Sequence, residues 1–243
     1  MPQTVRSSAF ACVGLTLVVA AVLSACSPTE APRPTTQGPL LYVTNEQAGS
    51  LSVVDTKDGE IVATLPLGKR PRGLTLSPDG SRLLVALSGS PIAGPGVDEK
   101  TLPAADKRAD GIGVVDSMTL RLFDMLSSGS DPEVVAVGKQ KDLAYVTNED
   151  TGSVSIVDIS KNRVIGNVHV GEEPEGLSVT PDGAQLWVTC EGDGVVVVVD
   201  LADSKVIKSI PVGPRPRSVA FLPDGSKAYV PAENGATDAR FRR

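Results

Sequence analysis

From residue 40 onward the chain alternates short apolar runs with turn residues, and no stretch keeps an apolar period of 3.6 residues. The runs LLYVTN, LSVVD, IVATLPLG and GLTLS are rich in β-branched and leucine positions. Between them stand Gly49, then Lys57-Asp58-Gly59, then a proline loop, then Pro78-Asp79-Gly80. That is four strands to a unit. Where the run is VVVVVD, at Val195 to Asp200, both faces of the strand need cover.

The unit repeats. Tyr42-Val43-Thr44-Asn45 returns as Tyr145-Val146-Thr147-Asn148, as Trp187-Val188-Thr189-Cys190 and as Tyr229-Val230-Pro231-Ala232, with a weaker copy at Leu84-Val85-Ala86-Leu87. The last two steps are 42 residues, as is the step from Tyr42 to Leu84. The step from Leu84 to Tyr145 is 61, which places a 19-residue insertion in that unit. Two further registers agree. Asp55, Asp116, Asp158 and Asp200 close apolar runs at spacings of 61, 42 and 42, and so do the Gly-x-x-Pro pairs Gly68/Pro71, Gly129/Pro132, Gly171/Pro174 and Gly213/Pro216. A four-stranded unit of this length cannot bury both faces alone, so copies must stack side by side. The expected fold class is all-β, a β-propeller of four-stranded 42-residue blades, with about four to five blades present.

The YVTN, SVVD and SPDG, TPDG and LPDG segments resemble the YVTN-type β-propeller repeat of cell-envelope proteins, over residues 40–234. The resemblance implies surface-layer or periplasmic propellers of mostly unassigned role, with lactonases and the haem d1 domain of nitrite reductase as remoter relatives. The family usually closes with more blades. After Asn234 the expected strand gives way to Gly-Ala-Thr-Asp-Ala-Arg-Phe-Arg-Arg, so residues 235–243 read as a disordered tail and the propeller as incomplete, the mark of a truncated product. An open blade edge would invite self-association.

The N-terminus supplies an address. Residues 1–25 carry one charge, Arg6, and an apolar run over 9–23, the layout of a secretory signal and too short to span a bilayer comfortably. Leu23-Ser24-Ala25-Cys26 resembles a bacterial lipobox, so Cys26 is expected to be the lipidated first residue of the mature chain. The protein then belongs to the bacterial cell envelope, lipid-anchored, facing the periplasm or the exterior. Residues 26–39 read as a lipid-anchored, proline-rich linker. Cleavage leaves Cys190 with no cysteine to pair with except the acylated Cys26, so no intrachain disulfide is expected.

Charge and composition narrow the chemistry. A chain starting at Cys26 has net charge −7, and aromatic residues are 3% of the sequence, which leaves neither a basic field nor stacking groups for nucleic acid. One histidine excludes a bis-histidine haem site and a Cys/His metal cage. His169 falls at an outer-strand end, and Cys190 reads as a small buried residue. No cofactor and no metal is expected, and the insertion's Asp98, Glu99, Asp106 and Asp110 lack the alternating oxygens of a calcium loop.

One ring of positions does vary. The loops entering the innermost strands carry Arg70 and Arg72, then Asp131 and Glu133, then Glu173 and Glu175, then Arg215 and Arg217, changing sign while the frame repeats. In a propeller these loops share the axial mouth with the insertion over residues 88–110, which could fold over it as a lid. The eight side chains form either a ligand site, arginines facing an anion and acids a cation or hydroxyls, or a set of inter-blade ion pairs at a solvated rim. The expected function is a membrane-anchored, non-catalytic binding or scaffold module for a protein or small anionic ligand. The alternative is a lactonase-like or quinoprotein-associated propeller enzyme, favoured if the charged groups converge in a concavity.

Overall fold

Each apolar run of the repeat is a strand, and the strands form five antiparallel sheets in chain order. The first sheet is β1 (Leu40–Asn45), β2 (Ser50–Asp55) and β3 (Ile61–Pro66). The second is β4 (Pro71–Leu76), β5 (Arg82–Leu87), β6 (Gly111–Asp116) and β7 (Arg121–Leu126), and the third β8 (Pro132–Val137), β9 (Leu143–Asn148), β10 (Ser153–Asp158) and β11 (Arg163–His169). The fourth is β12 (Pro174–Val179), β13 (Gln185–Cys190), β14 (Val195–Asp200) and β15 (Lys205–Pro211), and the fifth β16 (Ala220–Phe221), β17 (Lys227–Pro231) and β18 (Asp238–Arg242). This computed structural model describes residues 36, 38–92, 97–98, 101–139 and 142–233, with the backbone of 238–242. The expected signal, Cys26, most of the linker and Glu99 lie outside the described residues.

Face-to-face stacking is written in the core. Four apolar clusters fill the four interfaces between successive sheets. Leu51 and Val53 of the first sheet meet Leu83, Val85 and Leu87 of the second. Leu84 and Val114 point the other way, onto Val135, Ala144 and Val146 of the third. Val154 and Ile156 pack on Leu186, Val188 and Val197, and Val196 and Val198 on Val219, Ala228 and Val230. Consecutive residues of one strand thus serve opposite interfaces, which is why the central runs are apolar at every position. Tyr145 and Trp187 are packing groups, 4% and 7% exposed. Trp187 meets Phe221 edge-on with ring centroids 5.3 Å apart.

The turn motifs hold the strands at fixed length. In the Pro-Asp-Gly turn Asp79 Oδ1 accepts from the Ser81 N–H at 3.0 Å and the Ser77 hydroxyl at 2.6 Å while Gly80 takes φ +71°. Those donors hold its carboxyl down at about 2. Asp182 and Asp224 repeat the pattern. The aspartates that close the SVVD runs accept turn N–H groups in the same manner, Asp55 from Lys57 and Asp200 from Ala202.

The repeat therefore folds as a β-propeller of four-stranded blades; among the described residues three blades are whole and two are three-stranded. β4, β8, β12 and β16 are innermost. β1 lacks an inner neighbour among the described strands. Inside the stretch read as a tail, residues 238–242 form β18, in register with β17 from Lys227↔Arg242 to Pro231↔Asp238. A strand slot beside β17 satisfies any backbone's N–H and C=O groups, whatever its side-chain pattern.

Candidate functional site: the charged mouth

A recurring backbone device aims the charged loops. The residue before each inner-strand proline takes a left-handed conformation, Arg70 at φ 36°, Asp131 at 52°, Glu173 at 50° and Arg215 at 54°, although none is glycine. Its carbonyl then accepts the N–H of the residue following the second strand: Ser88 to Arg70, Glu149 to Asp131, Glu191 to Glu173, Glu233 to Arg215, at 2.8 to 3.3 Å. Just beyond the proline the inner strand slips register, between Pro71 and Leu74, Pro132 and Val135, and Pro174 and Leu177. These bulges carry Arg72, Glu133 and Glu175.

The threonine of the YVTN run satisfies the bulge. Thr147 Oγ1 accepts from the Val134 N–H at 3.0 Å and donates to the Glu175 carbonyl of the next blade at 2.9 Å, and Thr44 donates to the Arg72 carbonyl at 2.8 Å. Thr189 accepts from the Gly176 N–H at 2.8 Å. A strand motif thus fixes both the local kink and the joint between neighbouring inner strands.

The eight side chains do converge. Seven of them line a cavity of about 570 Å³ at the mouth, with Glu46, Glu149, Asp150, Glu191 and the insertion's Ser90, Pro91, Ile92, Leu102 and Pro103. Glu133 lies buried against Arg72. The sign pattern survives as ion pairing across blades. Arg72 contacts Glu133 of the next blade and stands 3.9 Å from Glu46 and from Glu175. Arg217 is 2.8 Å from Glu175 and in contact with Glu191, while Arg215 is 2.6 Å from Glu191 and 3.1 Å from Glu233. Arg70 pairs with Glu46 at 2.9 Å and donates to the carbonyls of Ser90 and Pro91.

The insertion is tied down at this face. Lys69 reaches Asp106 at 3.0 Å, and Lys107, in the 3-10 turn Lys107–Ala109, reaches Asp150 at 2.5 Å. Asp110 accepts from the N–H groups of Gly89 and Asp131, closing the base of the loop. Its described residues form a wall of the mouth.

Besides Asp150, four charged members of the mouth escaped the sequence reading: Glu46, Glu149, Glu191 and Glu233. They follow the second strand of four blades at spacings of 103, 42 and 42, the same register as the repeat. The signal was present, broken only by Ser88 in the blade with the insertion.

Seven carboxylates and four arginines line the cavity, so its field is acidic even though arginines ring it. Two buried acids feel this. Glu133 is 1% exposed, and burial first, then the neighbouring Glu175 and Glu149, push its carboxyl up to about 9 against the pull of Arg72. Among the described residues Glu133 Oε1 has no hydrogen-bond partner. Glu175 is raised to about 7, again by burial first, with Arg217 and Arg72 opposing. A proton-holding carboxyl beside ionised ones is a donor and acceptor pair in a polar recess.

His169 is exposed at the end of β11, away from the mouth. Cys190 is buried in the core, its thiol pushed up to about 12 by burial, and is inert as a nucleophile at neutral pH. A recess of about 350 Å³ at the opposite end of the blades is lined by turn residues such as Ser77, Asp79 and Arg82, and Asp79 spends its carboxylate within its own turn.

Solved structures share this fold. The chain is similar to Kuenenia stuttgartiensis hydrazine synthase, with a TM-score of 0.66, 19% identity and 90% of this chain covered. It is also similar to a functionally unknown protein from Desulfotomaculum acetoxidans DSM 771, with a TM-score of 0.67, 13% identity and 86% covered. It spans 64% of the length of each. No protein-family model and no curated protein matches the sequence. At these identities the likeness defines a class, the propeller-like all-β proteins, and stops there.

Proposed function

We propose that this chain is a binding module of the bacterial cell envelope, a YVTN-type propeller anchored through acylated Cys26, whose charged mouth takes a small polar ligand or a segment of a partner protein. The observation that carries the reading is convergence. Side chains from four blades, on loops whose frame repeats and whose charges do not, meet in one recess. An anion would reach the arginines only by displacing carboxylates already paired with them, so a ligand bearing hydroxyls or positive charge suits the mouth better. Non-catalytic binding asks nothing of the peripheral His169 or the buried Cys190.

The test is a thermal-unfolding screen of the purified chain against small carboxylates, phosphates, polyols and amines. A ligand that raises the melting temperature of the wild type and not of Glu175→Gln supports the reading, and silence from every class defeats it. Metabolic labelling with a palmitate analogue, lost in Cys26→Ser, checks the anchor, and light scattering of the eluted protein checks self-association through the edge of β1.

A second reading, a propeller hydrolase, draws on the buried acid Glu133 beside Glu149 and Glu175. Lactone turnover abolished by Glu133→Gln with the melting temperature retained would select it.

A further inference from the structure

We propose that the third-blade sector of the mouth is a calcium site, with Asp131, Glu133 and Glu149 as its protein ligands. One carboxylate oxygen from each lies within 4.8 Å of the other two. An ion that binds oxygen at about 2.4 Å can touch any two oxygens up to about 4.8 Å apart, so one calcium ion can reach all three, whereas magnesium keeps most of its waters and rarely sits in an all-carboxylate protein cage.

The second observation is Glu133 itself. Its side chain is buried, Oε2 faces Arg72, and Oε1 has no hydrogen-bond donor among the described residues when Glu133 and its neighbour Glu149 are both ionised. An orphaned carboxylate oxygen in the interior lacks a partner that a cation supplies directly.

Local charge agrees. Once Glu133 gives up its proton to the incoming ion, three carboxylates against the single guanidinium of Arg72 leave two formal negative charges for a divalent ion to cancel. Lys107 is already engaged by Asp150 and, at 3.8 Å, by Asp110. The ligands are also held in place. Asp131 accepts the Ser88 hydroxyl on one oxygen, which leaves the other to coordinate. Glu149 is fixed through its own N–H, given to the Asp131 carbonyl at 3.0 Å. Two ligands therefore come from the kinked inner strand of the blade and its entry loop, and the third from the end of its neighbouring strand. The second blade has Arg70, Arg72 and Ser88 at these positions and the fifth has Arg215 and Arg217; the fourth repeats the acids as Glu173, Glu175 and Glu191, but there Arg215 and Arg217 already pair with Glu175 and Glu191.

This proposal rests on the mouth being a ligand site and names one of its ligands. The experiment is calorimetric titration of the full chain in detergent, stripped with chelator and desalted, with calcium chloride alone. The expected result is one equivalent bound with a dissociation constant of about 10⁻⁵ to 10⁻⁴ M, at least about tenfold tighter than magnesium. Glu149→Gln, a half-buried position, should weaken binding at least about tenfold, and Asp203→Asn, an exposed acid outside the mouth, should not change it. No saturable binding by about 5 mM calcium, or equal weakening by Asp203→Asn, overturns the proposal. A chain that ignores calcium yet still answers the ligand screen loses only the cation site, whereas silence in both removes the reading of the mouth as well.

Discussion

Replacing Thr147 by valine keeps the volume and β-branching of a side chain that is 0% exposed and removes only its hydroxyl. Two backbone groups then lose their partner: the Val134 N–H in the bulge of one blade and the Glu175 carbonyl in the bulge of the next. An unsatisfied group of this kind costs about 1 to 3 kcal/mol, so Thr147→Val should cost about 3 kcal/mol in all. Thr147→Ser retains both bonds and loses one methyl, for about 1 kcal/mol. Thr44→Val loses the bond to the Arg72 carbonyl, in a less buried position, and should cost about 1 kcal/mol. The assay is urea unfolding followed by tryptophan fluorescence, since Trp187 sits at the interface with the last sheet. The midpoints should fall in the order wild type, then Thr147→Ser and Thr44→Val together, then Thr147→Val, with slopes unchanged. A Thr147→Val midpoint matching the wild type would refute the claim that this hydroxyl secures the bulges behind the mouth.

The pH dependence and two glycine substitutions give three further outcomes. Glu175 holds a proton up to about 7 in the folded chain and to its ordinary 4.5 when unfolded, so the folded state binds more protons between those values. Its contribution is then fully present below about pH 4.5 and lost as pH rises through 7, at most about 3 kcal/mol, and Glu175→Gln measured with calcium chelated should flatten the stability profile across that window. Gly176→Ala would put a methyl 2.4 Å from the Arg217 carbonyl oxygen and 2.7 Å from the Ser218 Cα, both backbone of the next blade, and should cost about 1 to 3 kcal/mol. Gly166→Ala, where the nearest atom is the Ile156 side chain at 3.6 Å, should be neutral or slightly stabilising by thermal unfolding.

The blades were legible because a blade is local. Alternation, turn chemistry and three agreeing registers all lie within 42 residues, and the shared face of two loop families follows from antiparallel alternation alone. The mouth was legible in outline, as Arg70, Arg72, Asp131, Glu133, Glu173, Glu175, Arg215 and Arg217 on one face. What each charge meets was not. Arg72 reaches Glu133 through bulges made by left-handed residues before proline, a position where local sterics argue against helical conformations. The burial of Glu133 is a property of packed neighbours, with no mark in its own segment. The strand at 238–242 was hidden for the opposite reason, since its pairing is carried by backbone groups that every residue has.

Hydrogen exchange read by mass spectrometry, with and without the ligand that most stabilises the chain, addresses the mouth most directly. The account predicts slowed exchange in the loops containing Arg70, Asp131, Glu149 and Glu173, and in the walls of the insertion. Protection confined to the Pro-Asp-Gly turns at the far end of the blades, or to the outer strands, would contradict it.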